Sequence, residues 1–353
     1  MVLRRIRKLI VYLHLTNESH SLLINNHSSL NNLFSVIIPL HNKAAYVEKA
    51  IRSVLSQTFQ EFELIVVNDG STDESLKNLQ FTIYNLQLPE EKIRIIEQQN
   101  QGVSIARNNG VKEAKYDYIA FLDSDDSWEP TYLEEMKALI ETYPDAGIYG
   151  SSYYLVKNGQ KRKAPIGVES DFEKGMINYC QVYAKTLCMP LWTGATIIRK
   201  TIFESKKGFK PNLKLGEDFD LWVRVAMKYP VVLLNKPLAN YNQDVELSGR
   251  AIGEKLYEPL EHMLFSNYSE LNKDIYFRYL YERLAVYGLL PYYVAEKNKR
   301  ETNDILSGIN WKQHAFKYSL YYRILPKALV KSWFWLQKRG SQMKNKIHSH
   351  NEK

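Results

Sequence analysis

Four short, mostly apolar runs recur along the first third of the chain: Ser35 to Leu40, Phe62 to Asn68, Lys92 to Glu97 and Tyr118 to Leu122. Their β-branched residues run together rather than alternate with polar ones, which predicts strands covered on both faces. Between them Val47, Ala50, Ile51, Val54 and Leu55 recur at helical spacing after a candidate Asn42 cap. A second amphipathic segment, Val103 to Ala114, follows Gly102. Strand alternating with helix predicts right-handed crossovers and an α/β fold, a doubly wound, mostly parallel sheet with helices on both faces. Ligands of such sheets bind beyond the carboxyl ends of the strands, a rule that puts His41, Asp69, Asn100 and Asp123 along one rim.

Later patterns are weaker. Asn158-Gly159 between two strand-like runs, Ala146 to Val156 and Gln160 to Ala164, predicts a hairpin. Ala195 to Ile198 reads as a strand, and Leu221, Trp222, Val225 and Ala226 as a helix face running to Pro230. From about Ala251 to Gly308 the spacing predicts helices, with Tyr257, Leu260, Met263, Leu264, Tyr276, Leu280, Leu284, Tyr287 and Leu290 as core.

Two acidic stretches carry the candidate chemistry. In Asp123-Ser124-Asp125-Asp126, an extended backbone would turn Asp123 and Asp125 to one side and Asp126 to the other. Converging carboxylates suit a hard divalent cation, since Mg²⁺ is commonly held by one or two of them plus substrate phosphates. The plainer reading is an acidic turn ahead of a helix near Pro130. Glu217-Asp218 opens the Leu221 helix, where a carboxylate serves either as a general base or as a complement to the helix dipole. Arg107 on the Val103 helix either approaches a ligand at that rim or is a solvated or structural side chain, and Trp128 reads as packing. Trp192, Thr193 and Gly194 precede a strand and would let a substrate approach the backbone.

The stretches SVIIPLHNKAAYVEKAIRSVLSQTFQEFELIVVNDGSTDES, NQGVSIARNNGVKEAKYDYIAFLDSDDSWEP, TGATIIRK and GEDFDLWVR, in that order, resemble a family 2 glycosyltransferase with the GT-A fold over residues 34–245. The resemblance implies an inverting enzyme using a nucleotide-activated sugar, commonly a UDP-sugar, with Mg²⁺ or Mn²⁺. Position by position it implies Pro39, His41 and Asn42 at the nucleotide pocket and Asp69 on the base. Asp123, Ser124 and Asp125 would form the DXD motif, with Asp125 touching the metal and Asp123 nearer the ribose. Asp218 would be the general base, with Glu217 beside it positioning the acceptor, and Trp192, Thr193 and Gly194 would meet the acceptor. Two departures stand out. His41 replaces a common Tyr, and Asn242 follows Tyr241 where the family often has Arg, leaving Arg250 or the tail to supply a cation. No QXXRW motif follows, which implies transfer of one sugar per encounter.

Charge is unevenly spread. The net +8 divides into ten Lys or Arg against one acid from Trp311 to Lys353, so residues 1–310 carry about −1. Aromatic residues among those cations, Trp333 to Trp335 included, predict a segment lying on an anionic membrane surface. A subunit contact in a homo-oligomer is the alternative, and no nucleic-acid motif accompanies the basic residues. Residues 1–33 read as a flexible leader without a signal-peptide cleavage site, and no apolar run reaches membrane-spanning length. Cys180 and Cys188 show no metal or disulfide spacing, consistent with a reducing cytoplasmic setting.

The expectation is therefore a GT-A domain over residues 34–245 and a helical, basic C-terminal region over 246–353. It would transfer a sugar to a saccharide or lipid-linked saccharide at the cytoplasmic membrane face. The rivals are a nucleotidyltransferase of related fold and a noncatalytic sugar- or nucleic-acid-binding protein. A Gly-rich phosphate loop with adjacent basic residues, which the first rival needs, is missing near the first strand.

Overall fold

The computed structural model describes residues 34–87, 91–245, 255–268, 271–334 and 336. The expected leader, Arg250, Trp335 and the tail beyond residue 336 lie outside the described residues.

The first four apolar runs are strands, β1 (Phe34–Leu40), β2 (Phe62–Asp69), β3 (Ile93–Gln98) and β4 (Tyr118–Phe121). They pair in parallel in the order β3-β2-β1-β4. Helices α1 (Val47–Leu55), α2 (Ser75–Asn85) and α3 (Val103–Glu113) make the crossovers. Successive residues of β1 feed opposite cores, as the strand period requires. Val36, Ile38 and Leu40 meet Val47, Ala50 and Ile51 of α1, whereas Ile37 meets Ala106 and Val111 of α3. Continuous apolar runs arise here because both faces are covered.

The sheet continues through β5 (Ser127–Trp128), β6 (Ile148–Lys157), β7 (Gln160–Lys163), β8 (Lys174–Ile177), β9 (Thr196–Arg199) and β10 (Val231–Asn242). Its path is β3-β2-β1-β4-β9-β6-β10-β5, with β7 beside β6 and β8 beside β10. Strand β9 runs antiparallel to both β4 and β6, and β6 is parallel to β10, so β1 to β4, β6 and β10 share one direction. Helices α4 (Tyr132–Thr142), α5 (Tyr179–Thr186), α6 (Lys200–Ser205) and α7 (Glu217–Ala226) complete this part. The hairpin forms as expected, with Asn158 at φ 49° and Gly159 at φ 72° between β6 and β7.

Several expectations are corrected. Helix α1 starts at Val47 without a side-chain cap. Asn42 instead sits at φ 50° and accepts from the Thr72 amide at 2.8 Å, tying two loops together. Residues 123–126 are a turn, closed by the Asp126 amide donating to the Asp123 carbonyl at 3.0 Å, so strand alternation does not orient these acids. Thr193–Ala195 is a 3₁₀ turn, and the strand begins one residue later than expected. Residues 255–268 hold 3₁₀ turns at Pro259–Glu261 and Met263–Phe265 in place of the expected α-helix, because Pro259 starts a new turn rather than extending one. Leu260, Tyr276 and Tyr287 are exposed, while Tyr257, Leu264, Leu280 and Leu284 are buried as expected.

Helices α8 (Ile275–Gly288), α9 (Leu290–Ala295) and α10 (Lys299–Ser307) follow. Phe277, Leu280 and Ala285 of α8 belong to the same core as Ile37 and Phe121 of the sheet. The beginning of the basic tail is folded onto them. Tyr322 donates to the Val286 carbonyl at 3.0 Å, His314 meets Glu282 at 3.0 Å, and Val330 is 1 % exposed on a helical stretch over residues 327–334.

Candidate active site

The carboxyl ends of β1 to β4 open onto one cavity of about 1170 Å³. Pro39, His41, Asp69, Asn100 and Asp123 all line it, the rim that the strand-end rule selects.

His41 is held between two neighbours. Its Nδ1 lies 2.9 Å from the Asp69 carbonyl and its Nε2 3.1 Å from the Asn100 amide nitrogen. The carbonyl only accepts, so Nδ1 donates to it, and the two contacts set the plane of the ring. The Asp69 carboxylate accepts from the amides of Gln101 and Gly102 and from the Gln98 side chain, each at 2.8 Å. It thereby shapes the loop entering α3, where Gly102 stands at φ 92°. Asn42 is not among the lining residues.

The two acidic motifs meet through Arg107. This side chain, 4 % exposed on α3, gives one terminal nitrogen to Asp123 at 2.6 Å and the other to Glu217 at 3.0 Å. Burial opposes its charge, but the fields of Asp123 and Glu217 outweigh burial and hold the guanidinium firmly protonated. Lys43, from the loop after β1, contacts Asp125 at 2.7 Å. Both DXD carboxylates thus face cations. Asp126 turns inward instead, accepting from the Asn242 amide at 2.8 Å and the Trp192 indole at 3.2 Å. Burial, reinforced by Asp125 and Asp123, pushes its carboxyl well above the usual range.

Gly216, at φ 79°, turns the chain into α7 and sets Glu217 and Asp218 in its first turn. Asp218 accepts from Thr193 Oγ1 at 3.2 Å and from the Phe219 amide at 2.7 Å. Burial first, then the Glu217 charge, push its pKa up to about 7 against the opposing pull of Arg107. A carboxylate there is poised to take a proton near neutrality. The rings of Trp192 and Tyr241 lie against each other with centroids 4.1 Å apart and planes tilted by 35°, and both line the cavity near Thr193. Gly194 is packed behind this platform; its carbonyl accepts from the buried Trp128 indole at 2.6 Å.

A divalent cation fits the Asp123–Asp125 turn by donor chemistry. The turn offers two carboxylates to the cavity, and the ammonium at Asp125 already stands where positive charge is favoured. Among the described residues no cluster of three or more His, Cys, Asp or Glu gathers as a self-sufficient metal cage, so substrate oxygens would complete the set.

The chain is similar to known proteins in family and in fold. Residues 35–205 match the family described as Glycosyl transferase family 2. That stretch, just under half of the chain, is what is similar to glycosyltransferase family 2. An uncharacterized glycosyltransferase of Rickettsia felis is 31% identical over 215 residues, 61% of this chain and 33% of that protein. The chain thus spans about a third of the length of the first curated relatives. The crystal structure of S. aureus TarS 1–349 in complex with UDP-GlcNAc superposes with a TM-score of 0.61 at 20% identity, covering 77% of this chain and 79% of that one. The mannosyltransferase PcManGT of Pyrobaculum calidifontis, in complex with GDP-Man and Mn²⁺, gives 0.50 at 14% identity, with 85% and 83% covered. At these identities the two structures establish the fold alone, a GT-A-like mixed sheet with a helical C-terminal region.

Sequence reasoning missed several contributors. Lys43 was open to the same strand-end rule as His41. Asp126, Tyr241 and the C-terminal lining residues, including Lys331 and Phe334, become visible only when distant segments converge.

Proposed function

We propose that this protein transfers one sugar from a nucleotide-sugar, a UDP-sugar by preference, to a saccharide or lipid-linked saccharide, with inversion at the anomeric carbon. The observation that carries this reading is the Arg107 bridge, which sets the Asp123–Asp125 turn and Asp218 on one cavity. The nucleotide lies along Pro39, His41 and Asp69, and the diphosphate reaches toward Lys43 and Asp123 to Asp125. When bound at Asp125 and Asp123, Mg²⁺ or Mn²⁺ supplies positive charge that stabilises the departing diphosphate. Asp218 accepts the acceptor hydroxyl proton as that oxygen bonds to the anomeric carbon. The bond to the diphosphate breaks on the opposite face, and its electron pair leaves with the nucleotide. Thr193 and Arg107 hold Asp218 and Glu217 in place, and the Trp192 ring offers a face to a sugar. The UDP-GlcNAc bound to TarS and the Mn²⁺ bound to the mannosyltransferase support these choices of donor and metal by likeness of fold. The Asn242 departure is met by Lys43, which brings a cation to this end of the cavity.

The test is nucleotide release from a panel of UDP- and GDP-sugars, with and without acceptor saccharides. Metal-dependent release of one nucleotide, lost in Asp125→Ala and Asp218→Asn, is expected. A protein that binds donors yet releases no nucleotide under any acceptor is a binding protein. Release of pyrophosphate from a nucleoside triphosphate and a sugar phosphate would instead favour the nucleotidyltransferase.

A further inference from the structure

The cavity does not end at Asp218. Beyond it the wall comes from the C-terminal region: Leu256, Met263, Leu284, Tyr287, Pro291 and Phe334 line it without a charge among them. Two cations line the same cavity beside these residues, Lys255 next to Leu256 and Lys331 one helical turn before Phe334, and both are exposed. Glu296, the acid within the field of Lys331, is already paired with Lys327 at 2.7 Å. A single small ligand fills roughly 300–1,000 Å³. The cavity, at about 1170 Å³, exceeds that range.

The last helical stretch bears on the chemistry that this part of the cavity accepts. Val330 and Phe334, four apart, face the protein and the cavity, while Leu329, Trp333 and Leu336, at the i, i+4, i+7 spacing, form an exposed ridge. Lys327 and Lys331 lie on the opposite side of the helix, next to the Val330–Phe334 face. An exposed apolar ridge of this kind suits the interface of a lipid layer. It lies on the same helix as the cavity wall, so an apolar chain can pass from the lipid to the wall with little exposure to water. A free saccharide, by contrast, would leave the wall wet and Lys331 without an anion.

We propose that the C-terminal half of the cavity is an acceptor site for an amphiphile, whose apolar chain lies along Met263, Tyr287 and Phe334 while a phosphate-type anion sits at Lys331 and Lys255. Its hydroxyl-bearing head then points toward Asp218. The inference rests on the glycosyl-transfer reading above and names the acceptor class for that reaction.

The full-length protein is titrated with dodecyl phosphate below its micelle-forming concentration, with dodecyl maltoside and inorganic phosphate as comparisons, and separately with UDP. One dodecyl phosphate per chain is expected, bound at least roughly ten-fold more tightly than either comparison. Reversing one charge, in Lys331→Glu, weakens it roughly ten-fold, the scale of a basic side chain near an anionic group. Ala295→Trp, at an exposed position on the cavity wall, blocks the chain and abolishes binding, with UDP affinity kept in both variants. Equal affinity for the two dodecyl compounds, or no effect of Lys331→Glu, overturns the proposal. UDP binding without amphiphile binding removes this inference alone, whereas failure to bind UDP removes the reaction on which it rests. A dimer dispersed by Ala295→Trp, with no amphiphile bound, would assign the wall to a second copy of the chain.

Discussion

Asp218 shows how a common first-turn acid becomes a base. Its raised pKa has two consequences of opposite value. In activity, kcat/KM should rise with pH through about 7 as the carboxyl ionises, then level off. In stability the sign is reversed. A carboxyl that holds its proton more tightly when folded contributes stability below its unfolded pKa, and that contribution is lost as pH rises through about 7. Asp218→Asn should therefore melt higher than the parent at pH 8 and show little difference near pH 4, while transfer drops by roughly 10²–10⁴. Melting scans at the two pH values check the first part, and acceptor-dependent nucleotide release the second. Arg107 makes the complementary case. Arg107→Met leaves Asp123 and Glu217 without their shared cation, and denaturant titration should record a loss of about 3 kcal/mol. Unchanged stability would mean that the bridge is ornamental to the fold.

At the scale of elements, glycines at positive φ separate shape from space. Gly159 in the β6–β7 hairpin has nothing within 4 Å of an added Cβ, so Gly159→Ala should cost about 1 kcal/mol and leave transfer intact. At Gly216 the added carbon would come within 2.5 Å of Met263. Gly216→Ala should cost about twice as much or more, and should also lower kcat, because the turn aims Asp218. Equal effects of the two substitutions on transfer would separate Gly216 from the chemistry. Asp126 couples elements as well, linking the β4–β5 turn to the end of β10 and to Trp192. Alternation along an extended backbone already sets Asp126 apart from Asp123 and Asp125, but it is the turn that gives it its task.

For the whole molecule, the C-terminal region is part of one core with the sheet rather than an appendage. Tyr322 and Val330 are buried, and Lys331 and Phe334 line the cavity. Deleting residues 311–353 should therefore lower the melting temperature by several degrees and abolish transfer to an acceptor, contrary to the separable tail that charge counting suggests. A truncated protein of parental stability and activity would restore that separable tail. With the full chain, flotation with anionic vesicles should occur at low salt and weaken as salt rises, since each exposed cation near the surface contributes about 1 kcal/mol. Among the described residues no helix is long and apolar enough to cross a membrane.

What the sequence determines by itself here is local: the strand period of β1 to β4, the helical spacing of α1 and α3, the Asn158-Gly159 turn and the rim of strand ends. Each depends on neighbours within a few residues, where backbone geometry dictates which side chains share a face. The motifs DSDD and GED were legible for the same reason. Their meeting was not. Arg107 reaches Glu217 across 110 positions, and Lys43 reaches Asp125 across 82. Helical spacing over residues 255–268 misled because Pro259 and the contacts of Leu215 with His262 bend that segment into turns, overriding its periodicity. The second half of the cavity likewise exists only because α8, α9 and the helix carrying Phe334 close over the strand ends. Burial against distant segments decided that closure, and no short-range pattern encodes it.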